Sequence, residues 1–204
     1  ITYKEVFPCL KDNEIWLGYK SLNQDMYFDV PDEHKEWLLA NKKEGSAYKI
    51  INGVVMGRLA SACWFTNLDH GKRHELLLLD TMTHNLKFNK RLRKKFEKDY
   101  GAVEYPHYDN YDAIEIPFTD AIPSDYAGMM GVPITFLDKY NPDQFEILGM
   151  TDRNNPFGLT IRVFTTKEAP NAGDLNRRGA IKTENGWKST YARILIRQQK
   201  GGAN

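Results

Sequence analysis

Apolar residues recur at spacings of three and four in two parts of the chain, which is the period of an amphipathic helix. The first pattern spans residues 2–13 and contains Pro8. The second places four large apolar residues on one helical face: Phe88, Leu92, Phe96 and Tyr100. Residues 15–19 instead form a nearly continuous apolar run, typical of a strand buried on both faces of a parallel sheet. The first half is therefore predicted to be an α/β layer.

Two further runs, residues 62–68 and 75–79, are β-prone or apolar and are joined by a short polar connection with a central Gly71. A short connection with glycine between two such runs predicts an antiparallel hairpin. Residues 31–49 are rich in Glu and Lys, and we expect them to form a solvated excursion on the surface.

Beyond Gly101 the chain consists of short apolar runs broken by Pro, Gly, Asn and Asp. These runs predict strands at residues 113–118, 132–137, 145–148, 160–165 and 191–197. The second half is therefore predicted to be α+β or mostly β. A domain boundary is expected near Gly101, dividing residues 1–100 from residues 101–204.

Composition excludes several classes of protein. The chain has 204 residues, of which 41% are hydrophobic and 27% charged, values that exclude disordered, collagen-like and coiled-coil chains. No apolar run approaches the roughly 20 residues of a membrane helix, and no secretory signal is present, so we expect a cytoplasmic protein without a membrane partner. Cys9 and Cys63 are far apart and suit a reducing compartment. Because the chain starts at Ile1 without a lead-in to its first helical pattern, we interpret it as a fragment.

The net charge of +1 gives no global attraction to nucleic acid, but charge is clustered locally. The predicted helix carries seven cations and one acid, Glu97, between residues 87 and 98. A solvated face is the usual explanation of such a run, yet neutralising phosphates is the ordinary origin of DNA affinity. The candidate DNA contacts are Lys90, Arg91, Lys94 and Lys95, with Lys72 and Arg73 at the tip of the predicted hairpin. Solubility explains that last pair equally well.

The chain lacks the common sequence motifs for binding nucleotides or phosphate and for serine-hydrolase or zinc chemistry. The chain contains no Gly-x-Gly-x-x-Gly, phosphate loop, Gly-x-Ser-x-Gly or His-Glu-x-x-His motif. His70 and His74 have helical spacing, but the intervening Gly71 and the hairpin argue against a metal site. Residues 154–157 read Asn-Asn-Pro-Phe, one proline short of the Asn-Pro-Pro-Tyr/Phe motif of amino-group methyltransferases. They do not follow a buried parallel strand, so an ordinary Asx or Pro turn is favoured.

Several segments resemble the EcoRI-type adenine-specific DNA methyltransferases. The segments are Cys63–Asp69, Asn110–Ile116, Gly131–Pro142 and Gln144–Gly149, and the opening residues 1–7 resemble a stretch just downstream of the family's Asn-Pro-Pro-Phe turn. The resemblance covers residues 1–149 and 191–197, and the block at 131–149 is its most specific part. It implies an α/β fold: the C-terminal part of a class I (Rossmann-like) methyltransferase sheet with an antiparallel hairpin, plus an α+β DNA-recognition region.

The resemblance also implies a function, methyl transfer from S-adenosylmethionine to N6 of adenine in duplex DNA within a restriction-modification system. The family's glycine-rich cofactor turn and its Asn-Pro-Pro-Phe turn are expected upstream of Ile1, so we expect no catalytic residue in this chain and no activity from it alone. The alternatives are a non-catalytic DNA-binding module and a protein-interaction domain, and no particular protein partner is predicted.

In amino-methyltransferases a strand followed by an aromatic residue and Ser/Thr-Asn lies beside the flipped base. Phe65, Thr66 and Asn67 resemble that element and are the base-pocket candidates. The alternative interpretation is that Trp64 and Phe65 are core aromatics. Asn110, Asp112 and Glu115 are favoured as turn and strand-edge residues rather than readers of bases.

Overall fold

The computed structural model describes residues 6–22, 24–60, 62–152, 154 and 157–199. The chain forms two compact units. Unit 1 comprises Ile1–Trp16 and Asp69–Asn204, and unit 2 is the intervening segment Leu17–Leu68. Unit 2 is therefore an insertion in the sequence of unit 1. Gly101, near which the boundary is predicted, lies within unit 1, where it ends a helix.

The described helices are mostly short. They are α1 (Val6–Lys11), α2 (Asp32–Asn41), α3 (Met82–Phe88), α4 (Lys90–Tyr100) and α5 (Ala172–Leu175). Single turns of 3₁₀ helix occur at Gly71–His74 and Thr119–Ala121, and a longer one at Ile134–Lys139. No helix in the described ranges is long and apolar enough to cross a membrane.

The strands lie on either side of residue 69, where the second part of unit 1 begins. Those that precede residue 69 are β1 (Trp16–Leu17), β2 (Met26–Phe28), β3 (Tyr48–Ile51), β4 (Val54–Leu59) and β5 (Phe65–Thr66). Those that follow are β6 (Ala113–Glu115), β7 (Met129–Val132), β8 (Phe145–Met150), β9 (Ala180–Thr183), β10 (Gly186–Ser189) and β11 (Ile194–Gln198).

The core of unit 1 is a four-stranded mixed sheet with the order β6-β7-β11-β8. β6 and β7 are parallel, whereas β11 is antiparallel to both of its neighbours. Successive residues of the central strands β7 and β11 are buried, as in a sheet covered on both faces. The outer strand β8 alternates buried and half-buried residues, the period of a strand packed on one face. A separate antiparallel hairpin, β9-β10, completes the strands of this unit.

Unit 2 is built around a three-stranded antiparallel sheet with the order β2-β4-β3. Asn52 and Gly53 connect β3 to β4, and both have positive φ, 50° and 80°. Positive φ at both central residues is the requirement of a type I′ turn, which suits the twist of a hairpin. Leu38 of α2 packs with Val30 and Tyr48 in a small core. The segment predicted to be a solvated excursion thus contributes core residues to unit 2, and in this respect the prediction is wrong.

The predicted mixed α/β architecture is confirmed, with strands at β6, β8 and β11 close to their expected positions. The predicted hairpin of residues 62–68 and 75–79 is wrong. Only Phe65–Thr66 is a strand, and the connection contains a 3₁₀ helix. The backbone of Leu77 is bound by a side chain instead of a strand: Gln144 accepts its N–H at 2.8 Å and donates to its carbonyl at 2.7 Å.

Three other predicted strands also differ from the structure. Residues 15–19 contain only the two-residue strand β1, and Tyr19 is 77% exposed, so this run is not a strand buried on both faces. Residues 132–137 leave the sheet after Val132, because Pro133 begins a 3₁₀ helix. Residues 160–165 form no strand; the Asn176 amide accepts from the N–H and donates to the carbonyl of Phe164, at 2.7 and 2.9 Å.

Candidate nucleic-acid interface

α4 is the helix that carries the predicted basic face. Asn89 begins it, because its side chain accepts the N–H of Leu92 at 3.0 Å, and Gly101 ends it with a φ of 77° that favours glycine. Leu92 and Phe96, four residues apart, are fully buried and anchor the helix. Phe88, predicted to share their face, belongs instead to α3, before the cap, and is 58% exposed.

The outer face of α4 presents a lysine stripe, formed by Lys90, Lys94 and Lys98, all exposed and spaced four residues apart. In the described part of the chain, the ion pairs of this region involve Lys95 and Lys188 rather than any of these three side chains. Like charges at this spacing destabilise a helix by about 0.2–0.5 kcal/mol per pair. The lysine stripe therefore carries a cost in stability that a face with mixed charges would avoid.

Arg91 is also on α4 but packs against an aromatic ring. Its guanidinium carbon lies 3.6 Å from the centroid of the Phe118 ring, a cation–π contact. The residue is still exposed overall. Of the four predicted DNA contacts on this helix, Lys90 and Lys94 thus have no ion-pair partner among the described residues, whereas Arg91 is fixed by stacking.

Lys95 is held by Asp99, an acid that lies one residue beyond the basic stretch 87–98. It forms an ion pair with Asp99, and Lys188 of β10 donates to the same carboxylate at 2.9 Å. Burial alone would raise the pKa of Asp99, but the hydrogen bonds from the two ammonium groups outweigh it and lower the pKa below its ordinary value. Asp99 is therefore ionised at neutral pH and keeps both lysines in place.

A cleft of about 300 Å³ lies beside this ion-pair cluster, and we call it the α4 cleft. Its lining includes Lys95, Asp99, Arg178, Lys188, Ser189 and Arg193. The cationic residues outnumber the single acid of the lining by four to one. Sequence reasoning missed Arg178, Lys188 and Arg193, because they are remote from α4 along the chain and form no local cluster.

Lys72 and Arg73 do not lie at the tip of an exposed hairpin as predicted. The Lys72 side chain is 16% exposed, and its ammonium lies 3.9 Å from the Asp138 carboxylate. The Arg73 guanidinium stacks on Trp16 at 3.7 Å from the ring centroid and donates to Asn13 at 3.3 Å. Both side chains are thus engaged within unit 1, and contact with DNA remains a prediction for them.

The base-pocket candidates lie together in unit 2, at β5 and the turn that follows it. Phe65 and Thr66 are half-buried, whereas Asn67 is exposed. The Thr66 hydroxyl accepts the N–H of Leu68 at 3.0 Å and so fixes the turn. The neighbouring Trp64 is 65% exposed, so it is not a core aromatic.

The Asn-Asn-Pro-Phe segment lies partly outside the described residues, which include Asn154 and Phe157. The Asn154 N–H donates to the Asp152 side chain at 2.9 Å, the hydrogen bond of an Asx turn. The Phe157 ring packs against Phe7, with centroids 5.7 Å apart, and Lys11 lies over it. The aromatic residue of this segment therefore has a packing role in unit 1.

Glu115 and Arg193 form a buried ion pair that the sequence does not reveal. Glu115 is fully buried on β6, and the Arg193 guanidinium donates to both of its carboxylate oxygens at 2.5–3.2 Å. The Tyr108 hydroxyl donates to the same carboxylate. Glu115 is therefore structural.

Asn110 is structural as well, as favoured from the sequence. Its amide donates to the carbonyls of Leu175 and Arg178 at 2.9 and 2.8 Å, and its oxygen accepts from Ala180 at 2.8 Å. Both ends of the side chain are satisfied by backbone groups. Asn110 thus fixes the approach to the β9-β10 hairpin rather than facing a ligand.

Among the described residues, no group of three or more His, Cys, Asp or Glu side chains could hold a metal ion. His74 is instead hydrogen-bonded to Asp69 at 2.8 Å. That hydrogen bond lowers the pKa of Asp69 below its ordinary value.

Comparison with known proteins places the chain in a family. Residues 1–199 match the family described as adenine-specific methyltransferase EcoRI. The type II methyltransferase M.EcoRI of Escherichia coli is 40% identical over 148 residues, which cover 72% of this chain and 39% of that protein. No solved structure matches the chain.

Two mycoplasma proteins align over nearly the whole chain. The type II methyltransferase M.MgeORF184P of Mycoplasma genitalium is 34% identical over 200 residues, and M.MpnI of Mycoplasma pneumoniae is 29% identical over 204 residues. Each alignment covers 98% of this chain and 54% of the relative. The chain thus spans about half the length, or less, of these relatives, and it belongs to the adenine-specific methyltransferase EcoRI family.

Proposed function

We propose that this chain is the C-terminal part of a type II DNA methyltransferase that transfers a methyl group from S-adenosylmethionine to N6 of adenine in duplex DNA. The observation that carries the proposal is the family match over residues 1–199. The three relatives are named type II methyltransferases, and the family description names adenine. A restriction-modification setting follows from the same names.

The lysine stripe supports duplex DNA as the partner. Four residues of α-helix rise about 6 Å, so Lys90, Lys94 and Lys98 span about 12 Å along the axis. One strand of B-DNA carries a charge every 3.4 Å or so of its axis, and three cations at this spacing face a run of three or four phosphates. The three lysines have no ion-pair partner among the described residues, and their mutual repulsion lowers the stability of the helix. Binding of a polyanion offsets that repulsion.

The described clefts of unit 1 do not fit the methyl donor. S-adenosylmethionine carries a sulfonium cation, and four of the nine described residues that line the α4 cleft are cations, against a single acid. A second cleft of about 370 Å³ has Asn154, Gly173, Asp174 and Arg177 as its described lining residues, and none of these is a large apolar side chain of the kind typical of a cofactor site. The missing glycine-rich motif supports a cofactor site outside these 204 residues, and the chain alone is proposed to be inactive.

Calorimetry of the chain with S-adenosylmethionine tests the location of that site. We expect no binding at micromolar concentrations of the cofactor. A micromolar dissociation constant for residues 1–204 would contradict the proposal and assign the cofactor to this chain.

Phe65, Thr66 and Asn67 are proposed to flank the flipped adenine. Extruding a base costs about a few kcal/mol, and a partly accessible aromatic ring is a suitable surface on which to stack it. The half-buried Phe65 and the exposed Asn67 leave such surface available, and Thr66 fixes the turn between them.

Methyl transfer by the complete gene product is the decisive experiment. A duplex containing the target site should gain one methyl group per modified adenine, identified as N6-methyladenine after digestion to nucleosides. Methylation of cytosine would contradict the adenine assignment. Salt-dependent DNA binding without any methyl transfer would favour the non-catalytic DNA-binding module, and the absence of both would favour a protein-interaction domain.

A further inference from the structure

The α4 cleft is more cationic than its internal ion pairs require. Arg193 is neutralised by Glu115, and Arg178 pairs with Asp174 at 3.3 Å. Two further cations, Lys95 and Lys188, share the one remaining acid, Asp99. The cleft therefore keeps a net positive charge after every described pair is counted.

The two lysines also retain unused hydrogen-bond donors. Each ammonium group has three N–H donors. The Lys188 ammonium donates to the Asp99 carboxylate at 2.9 Å and to the Asp99 carbonyl at 3.3 Å, which leaves one donor. Lys95 is described in a single ion pair with the same carboxylate, which leaves two. Asp99 thus positions the two ammonium groups and leaves some of their N–H donors available for a ligand.

The cleft is continuous with the proposed DNA-binding face of α4. Lys95 lines the cleft, and the lysine stripe occupies the neighbouring positions of the same helix, at Lys94 and Lys98. A strand of DNA that follows the lysine stripe therefore reaches the mouth of the cleft without leaving the helix.

We propose that the α4 cleft binds a backbone phosphate of duplex DNA, held by Lys95 and Lys188. This inference rests on the proposed function and extends it from α4 to β10, which nothing in the local sequence of the basic helix indicates. The phosphate oxygens accept the spare N–H donors of the two ammonium groups, while Asp99 keeps its ion pairs. Lys188 is the residue that distinguishes this site from the lysine stripe.

The β9-β10 hairpin supplies a matched control. Lys188 is paired with Ile181, and the exposed Lys182 is paired with Trp187, the adjacent position of the ladder. Adjacent pairs of an antiparallel ladder point to opposite faces, so Lys182 lies on the face opposite to Lys188. Lys182→Gln removes the same charge from the same hairpin without affecting the cleft.

Binding of a fluorescent duplex to the chain, measured at several salt concentrations, tests the site. Each phosphate contact contributes about 0.9 to the slope of log K against log salt. One such contact therefore strengthens binding about eightfold when the salt concentration falls from 1 M to 0.1 M. Lys188→Gln is expected to weaken binding about eightfold at 0.1 M salt and to reduce the slope by about 0.9, whereas Lys182→Gln leaves both unchanged. Equal effects of the two variants would overturn the site.

Two further outcomes separate this inference from the proposed function. If the unmodified chain does not bind the duplex at all, the DNA-binding function fails and the phosphate site fails with it. If the duplex binds but Lys188→Gln changes nothing, only the site fails. Inorganic phosphate is titrated in parallel, and a free phosphate that binds at Lys188 as tightly as the duplex would overturn the assignment to a DNA backbone.

Discussion

Unit 1 and unit 2 differ in how completely they bury their apolar residues. The sheet of unit 1 includes side chains such as Met130, Leu195 and Ile196 with no exposed surface. Unit 2 has the small core of Val30, Leu38 and Tyr48 and exposes large apolar side chains, among them Trp37, Leu39, Trp64 and Leu68. Short chain segments bury a smaller fraction of their surface than larger domains do. We infer that most of the folding stability resides in unit 1 and that unit 2 opens more readily.

The largest effect is expected where unit 1 buries its ion pair. Glu115→Gln leaves the Arg193 guanidinium buried without a carboxylate, and removing one partner of such a pair costs about 3 to 5 kcal/mol. Urea unfolding measures the loss. The double variant Glu115→Gln with Arg193→Met removes both charges, keeps an acceptor for the Tyr108 hydroxyl and should recover most of it. A single variant as stable as the parent would show that the pair does not stabilise unit 1.

Paired leucine truncations test the difference between the units directly. Leu92→Ala in unit 1 removes a fully buried side chain and should cost about 4 kcal/mol, whereas Leu38→Ala in unit 2 should cost about 2, because a small core relaxes around the gap. Hydrogen exchange is the readout: Leu38→Ala should lower protection only in unit 2. Equal losses, or loss of protection throughout the chain, would show that the two units unfold together.

Phe65→Ala sharpens the comparison by asking whether an aromatic residue of unit 2 serves function or packing. In the complete enzyme, loss of base stacking worth about 1 to 3 kcal/mol should slow methylation about tenfold to a hundredfold. The melting temperature is the control, since truncating a buried core Phe costs about 3 to 5 kcal/mol. An enzyme that melts much earlier yet methylates normally when folded would make Phe65 a packing residue.

The smallest effect on stability is expected from replacing Asp99, the acid that binds Lys95 of α4 and Lys188 of β10. The pKa of Asp99 is lower in the folded chain than its ordinary value, so its ion pairs stabilise the fold above about pH 4, and this stability is lost as the pH falls below that value. Asp99→Asn should therefore be less stable than the parent at pH 7, with a difference that shrinks in acid. A difference that grows on acidification would contradict this sign.

The sequence predicts those elements whose determinants are local. The Asn89 cap, the buried spacing of Leu92 and Phe96 and the terminal Gly101 lie within one segment, and they specify α4. The hairpin of unit 2 was not predicted, although it has an equally local signal, Asn52-Gly53 between two β-prone runs.

Two of the wrong predictions have a common physical cause. In two of the apolar runs predicted to be strands, a side-chain amide binds the backbone of one residue where a neighbouring strand was expected. Gln144 binds Leu77 in this way, and Asn176 binds Phe164. Gln144 lies 67 residues from its partner Leu77, so no local sequence pattern indicates that this side chain takes the place of a strand.

The candidate interface also combines residues with a local sequence signal and residues without one. The cations of α4 are visible as a run, whereas Lys188 is recognised only because folding brings it to Asp99, 89 residues away. Contact of Lys72 and Arg73 with DNA remains a prediction from their charge, and a base-pocket role of Phe65–Asn67 remains a prediction from the resemblance.

The salt dependence of duplex binding tests the central claim, that the lysine stripe of unit 1 binds the DNA backbone. The double variant Lys90→Gln with Lys94→Gln is compared with Lys42→Gln with Lys43→Gln, which removes the same charge from exposed positions of unit 2. We predict that the α4 variant lowers the slope of log K against log salt by about 1.8, while the unit 2 variant leaves it unchanged. An unchanged slope for the α4 variant, or an equal loss in both, would contradict the claim.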